Sequence, residues 1–122
     1  AAGHLSAVLH DAAEYVIGDL ITPFKAAVGV DYKALEARLM TAVRLRFGLP
    51  AQEPEELKKL IKRADRIAAY LEATQLAGFS PSEARRLFGH YKQFDDITLK
   101  PWPPGKAKRL FLDRCGTLAK GL

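Results

Sequence analysis

A chain of 122 residues, 48% hydrophobic and 27% charged, suits one compact domain with a buried core rather than a disordered segment. The single cysteine, Cys115, rules out an internal disulfide framework and makes a reducing cytoplasm the default compartment. The net charge of +5 favours anionic partners, yet the basic residues are scattered along amphipathic stretches as solvated helix faces, which argues against a nucleic-acid interface.

Leu5, Val8, Leu9, Ala12 and Ala13 form an apolar stripe that predicts a first helix from about Gly3 to Val16, ended by Gly18. Thr22-Pro23 predicts a short second helix, with Thr22 as N-cap, Pro23 at the first helical position and Gly29 at its close. Asp31 is the expected N-cap of a third helix from Tyr32 to Phe47. Leu35, Leu39, Ala42 and Val43 lie on its inner face, and Gly48 and Pro50 stop it.

The fourth helix is predicted to be the longest, from Pro54 to Ala77. Leu57, Leu60, Ile61, Ala64, Ile67, Ala68 and Leu71 fall at helical spacing along it, and Gly78 is its expected C-cap. Ser80-Pro81-Ser82-Glu83 reads as a capping box opening a fifth helix to about Gly89. His90 to Trp102 looks irregular, and Pro103-Pro104 starts a last helix carrying Ala107, Leu110, Phe111 and Leu118. No segment alternates as a strand does. The expected fold class is all-α, a bundle of five to seven helices. No apolar run approaches the roughly 18 residues needed to span a bilayer, and no signal-peptide pattern opens the chain, so no membrane partner is expected.

The most informative run is His10-Asp11-Ala12-Ala13-Glu14-Tyr15-Val16-Ile17-Gly18-Asp19, an imidazole and three carboxylates within ten residues. Imidazole is a common metal ligand and carboxylates suit hard divalent cations. On a continuous helix His10, Asp11 and Glu14 share one surface. Asp11 and Glu14 are then like charges three apart, a mild penalty that a bound cation would reverse. Asp19 follows the Gly18 break and can fold back toward them. Asp65 is the second clue, an acid at or inside the apolar stripe of the longest helix, where an isolated buried carboxylate is costly. Either feature alone reads as a surface pair; together they point to a catalytic cluster. Elsewhere, Asp95-Asp96 reads as a loop cap or solvated turn, His90 as a helix-end residue, Trp102 as packing over a helix end and Cys115 as a small core residue.

These residues resemble the HD-domain metal-dependent phosphohydrolases, most closely the bacterial 5′-deoxynucleotidase branch. The resemblance runs through His10-Asp11-Ala12 with Glu14, Gly18-Asp19-Leu20, Thr22-Pro23 with Lys25, and Tyr32-Lys33-Ala34-Leu35-Glu36. It resumes at Lys62, Ala64-Asp65 and Ala69-Tyr70-Leu71. Residues 79–122 carry no motif of the family.

By position, the resemblance implies His10, Asp11 and Asp65 as ligands of one divalent ion (Mn, Co, Mg, Fe, Ni and Zn are not distinguished). It implies Glu14 and Asp19 as the groups handling the attacking water and the leaving oxygen. The free N–H groups of a helix beginning at Thr22, with Lys25 and Lys62, would take the phosphate. The implied activity is hydrolysis of a phosphomonoester, a nucleoside monophosphate or related nucleotide, in the cytoplasm, with a homodimer left open.

The family's fourth ligand, a histidine on an earlier helix, has no counterpart. His4 lies two helical turns from Asp11, about 10 Å along the axis, and is a poor substitute. The chain begins Ala1-Ala2-Gly3-His4 without a methionine. The expectation is therefore a single HD-type domain whose first helix or helices precede Ala1. The alternative is a degenerate HD domain that binds a nucleotide or a protein partner without catalysis.

Overall fold

A computed structural model describes the backbone of residues 1–122 and every side chain except those of Thr22, Val28 and Val30. Seven α-helices follow one another: α1 (Ala2–Val8), α2 (Glu14–Ile17), α3 (Thr22–Val28), α4 (Val30–Arg46), α5 (Glu55–Gln75), α6 (Pro81–Phe88) and α7 (Pro104–Lys120). A 3₁₀ turn, Lys92–Phe94, lies between α6 and α7. There is no strand among the described residues, and the protein is all-α as its periodicity predicts. Among the described residues, no helix is long and apolar enough to cross a membrane. The chain forms two compact units, Ala1–Pro54 with Lys108–Leu122, and Glu55–Ala107.

The first unit buries Leu5, Leu9, Leu49, Cys115 and Leu118, with Val8, Val43, Phe47 and Ala119 packed against them. Leu5 is wholly enclosed. Cys115 is a core residue, as its isolation in the sequence suggests. Arg44 is buried with this core. Its Nε donates to the Pro50 carbonyl at 2.7 Å, and one terminal nitrogen donates to Ser6 Oγ at 3.1 Å and to Glu53 Oε1 at 3.0 Å. A buried cation needs such partners, and here three are supplied.

The predicted first helix is not continuous. Residues 9–13 form turns between α1 and α2, with Ala12 N–H on the Leu9 carbonyl and Glu14 N–H on the Asp11 carbonyl, both at 3.0 Å. Bonds of this three-residue spacing tighten the chain away from α-helical geometry. The like charges of Asp11 and Glu14 also disfavour a straight helix here. Gly18, at φ +76°, ends α2 as expected. The helix α4 begins at Val30 rather than Tyr32, with Gly29 as N-cap at φ +88°. Asp31 therefore lies inside the first turn, where its charge suits the helix dipole. Leu35 and Ala42, placed by periodicity on the inner face of α4, are exposed, whereas Val43 packs into the core.

The second unit follows its sequence more closely. Tyr70, Leu71, Ala73 and Ala84 are buried, with Ile67, Phe88 and Leu99 against them. The Ser80 capping box is formed: Glu83 N–H donates to Ser80 Oγ at 3.3 Å, and Ser80 N–H donates to Glu83 Oε2 at 2.9 Å. After Gly78, Phe79 N–H reaches back to the Ala73 carbonyl at 3.0 Å and closes the end of α5. Gln75 clamps the irregular segment with both ends of its amide, donating to the Ile97 carbonyl and accepting from Leu99 N–H, each at 2.8 Å. Burial is confined to the C-terminal part of α5, and Leu60 is 63% exposed despite its helical spacing. Trp102 is more than half exposed, with Lys106 Nζ from the first turn of α7 at 5.4 Å from its ring centre.

Candidate functional site

The turn between α1 and α2 fixes His10. Its Nδ1 lies 2.8 Å from the Ala7 carbonyl oxygen. A carbonyl only accepts, so Nδ1 carries the proton, and in the neutral ring Nε2 carries the lone pair. Nε2 lies 3.0 Å from Asp11 Oδ2. At that distance the two atoms are close enough to share one cation. A backbone carbonyl on the far ring nitrogen is also the usual way a metal-binding histidine is oriented. The tight turn that interrupts the predicted helix thus presents one imidazole nitrogen and one carboxylate oxygen as a fitting pair of donors for a divalent ion.

Glu14 opens α2 and is half-buried. Its carboxyl is held above the ordinary carboxylate range, first by partial desolvation and then by the negative charges of Asp11 and Asp19. Glu36 adds to the rise, and Lys25 opposes it. Asp19, just past the Gly18 turn, therefore does lie within electrostatic reach of Glu14, as the sequence suggests. The first unit gathers His10 with Asp11, and Glu14 with Asp11, Asp19, Lys25 and Glu36.

Lys25, on α3, is half-buried with its Nζ 3.6 Å from Glu36 Oε1 of α4 and 6.0 Å from the centre of the Tyr32 ring. It is an anchored cation rather than a freely solvated one. Thr22 is the first helical residue of α3; the N-cap is Ile21, whose carbonyl accepts from Phe24 and Lys25 N–H at 2.9 and 3.1 Å. The side chain of Thr22 lies outside the described residues. His4 is exposed on α1.

Asp65 and Lys62 lie on α5 in the second unit, both with exposed side chains. The expectation that Asp65 sits at or inside a buried stripe is not met, because this part of α5 is not buried. Sequence reasoning also passed over Glu36, Tyr32 and Arg44 as functional or organising residues. Tyr32 and Glu36 lie one helical turn apart on α4, but no local spacing links either to Lys25. Arg44 reads from the sequence as one more surface cation, and only its three tertiary partners show otherwise.

No family model matches the chain. The chain is similar to an uncharacterized protein of Rhodobacter capsulatus, 48% identical over 120 residues. The match takes in 97% of this chain and 61% of that protein, so the chain spans less than two thirds of its relative's length.

Proposed function

We propose that the protein is an HD-type, divalent-metal-dependent phosphohydrolase that cleaves a phosphomonoester, a nucleoside monophosphate or related nucleotide, in the cytoplasm. The observation that carries this reading is the His10–Asp11 pair, with Nδ1 tied to a backbone carbonyl and Nε2 lying 3.0 Å from a carboxylate oxygen. His10, Asp11 and, from α5, Asp65 would hold the ion. When bound, a divalent cation supplies Lewis acidity at phosphorus and a template for the phosphate oxygens.

The chain's own residues do the proton work. Glu14, raised above the ordinary carboxylate range, takes a proton from the attacking water more readily than a solvated carboxylate would. Asp19 keeps a negative charge near Glu14 and so strengthens it as a base. The leaving sugar oxygen then receives from Glu14 the proton that Glu14 took from the water. Lys25, with Thr22 and Lys62, supplies positive charge and N–H groups to the phosphate, and Glu36 keeps the Lys25 ammonium in place.

Phosphate release is measured from a panel of nucleoside monophosphates with added manganese, cobalt or magnesium, alongside elemental analysis of the purified protein. Release should require the metal and stop with chelator. Asp11→Ala should abolish release and leave the far-ultraviolet helical signal intact. His10→Ala and Asp65→Ala should each lower bound metal. Full metal content in Asp65→Ala would remove Asp65 from the site. Failure to release phosphate from every substrate would overturn the hydrolase reading. Nucleotide binding by calorimetry, with neither metal retention nor turnover, would mark the chain as a binding module instead.

A further inference from the structure

The second unit contains an open cavity of about 450 Å³, well within the size range of small-molecule sites. Its floor is apolar: Tyr70 and Leu71, from the buried end of α5, are both among the core residues of this unit. Two of the neutral polar side chains around it, Thr74 and Gln75, are already engaged with the chain. Thr74 Oγ1 donates to the Tyr70 and Leu71 carbonyls, and the Gln75 amide is used at both ends to hold residues 97 and 99. The full charges available to a ligand there are cationic. Arg85 spends only its Nε, on the Pro81 carbonyl at 3.1 Å, so both terminal nitrogens are left over. Lys92, on the 3₁₀ turn, makes no ion pair among the described residues. Asp95, the acid among the lining residues, faces His90 at 4.0 Å rather than either cation.

We propose that this cavity binds a small organic anion carrying a planar ring, with the ring on Tyr70 and Leu71 and the anionic group between Arg85 and Lys92. Planarity is favoured because the floor is an aromatic ring beside an aliphatic side chain, and His90 stands 6.4 Å from Tyr70, centre to centre, at a tilt of 48°. The anion is favoured because a guanidinium and an ammonium, both exposed at the rim, gain charge-assisted hydrogen bonds from a carboxylate or phosphate. Nothing in this inference depends on the His10 turn or on hydrolysis.

The probe is 2-naphthoate, titrated into metal-free protein in chelator and followed by amide chemical shifts. Two controls accompany it: 2-naphthalenemethanol, which keeps the ring and lacks the charge, and inorganic phosphate, which keeps the charge and lacks the ring. Naphthoate should saturate, with the largest shifts at Tyr70, Arg85 and Lys92, and should bind about tenfold more tightly than either control. Arg85→Gln and Lys92→Gln, both at exposed positions, should each weaken naphthoate about five- to tenfold and leave the alcohol unchanged. Equal binding of naphthoate and the alcohol would overturn the proposal. So would unchanged affinity in both variants, shifts centred on other residues, or failure to saturate by roughly 10 mM, a concentration below which even a weak specific site of this size fills.

Discussion

The two units solve the problem of polar residues in opposite ways. The second places its designed hydrogen bonds at helix ends and loop edges: the Ser80–Glu83 box and the Gln75 clamp satisfy backbone groups that helices and irregular segments leave over. Its core of Tyr70, Leu71, Ala73 and Ala84 contains no charged side chain. The first unit buries a guanidinium against Ser6, Pro50 and Glu53 and crowds three carboxylates near a tight turn. Neither arrangement is what stability alone would select, since an apolar residue at the Arg44 position and fewer like charges near Glu14 would cost less. Local conflict of this kind is a mark of functional sites, where charge placement matters more than stability.

This contrast can be broken at the core first. Leu5 has no exposed surface, so Leu5→Ala removes its transfer free energy and leaves a cavity walled by Leu9, Leu49 and Leu118. Urea denaturation should show a loss of about 3–4 kcal/mol. A loss under about 1 kcal/mol would mean that the first unit's core is not the packed structure described. Arg44→Ala comes next. It leaves Glu53 without its cation and Ser6 Oγ and the Pro50 carbonyl without a donor, and should cost about 3 kcal/mol. Because Glu53 keeps some exposure, Glu53→Gln should cost clearly less than Arg44→Ala. Equal costs would show that the pair's charge, rather than the burial of the guanidinium, dominates. In the second unit, Ser80→Ala removes one cap and should cost about 1 kcal/mol, with the loss reporting on α6.

How much of this was written in the sequence follows the same division. The Ser80-Pro81-Ser82-Glu83 box, the Gly78 and Gly89 stops and the Pro104 start depend on neighbours within about two helical turns, and each formed where local chemistry puts it. Periodicity found α5 but not its burial. Leu57 to Ala68 have helical spacing, yet only the end from Ile67 onward packs in its unit, because spacing specifies a face and not what covers it. The His10–Asp11 pair was visible as a dipeptide. The break in the helix that aims it was not, since the pattern from Leu5 to Ala13 fits an unbroken helix and the turn depends on hydrogen bonds the pattern cannot report. Glu36, Tyr32 and Arg44 act through partners 6 to 38 positions away, among them Ser6 for Arg44, and no single-sequence signal carries that distance.

The finest test of the contrast is Glu14, whose charge state ties the crowding near the turn to stability. The folded protein binds a proton at Glu14 more tightly than the unfolded chain does, because its carboxyl is raised from the ordinary value of 4.5. The native state therefore holds more protons than the unfolded state as pH rises through the window from that value to the raised one. Over that window stability falls, and above it the full penalty is present. Glu14→Gln removes the charge and keeps the shape. In chelator at neutral pH the variant should be more stable than the natural chain by about 0.2–0.5 kcal/mol for each like-charge contact relieved, less whatever Lys25 contributed. Near pH 3.5, where the carboxyl is neutral in both states, the difference should vanish. Paired urea titrations at the two pH values measure it. A variant less stable at neutral pH would mean that Lys25, rather than Asp11 and Asp19, dominates the field at Glu14. It would also remove the reason to treat that carboxyl as a proton carrier.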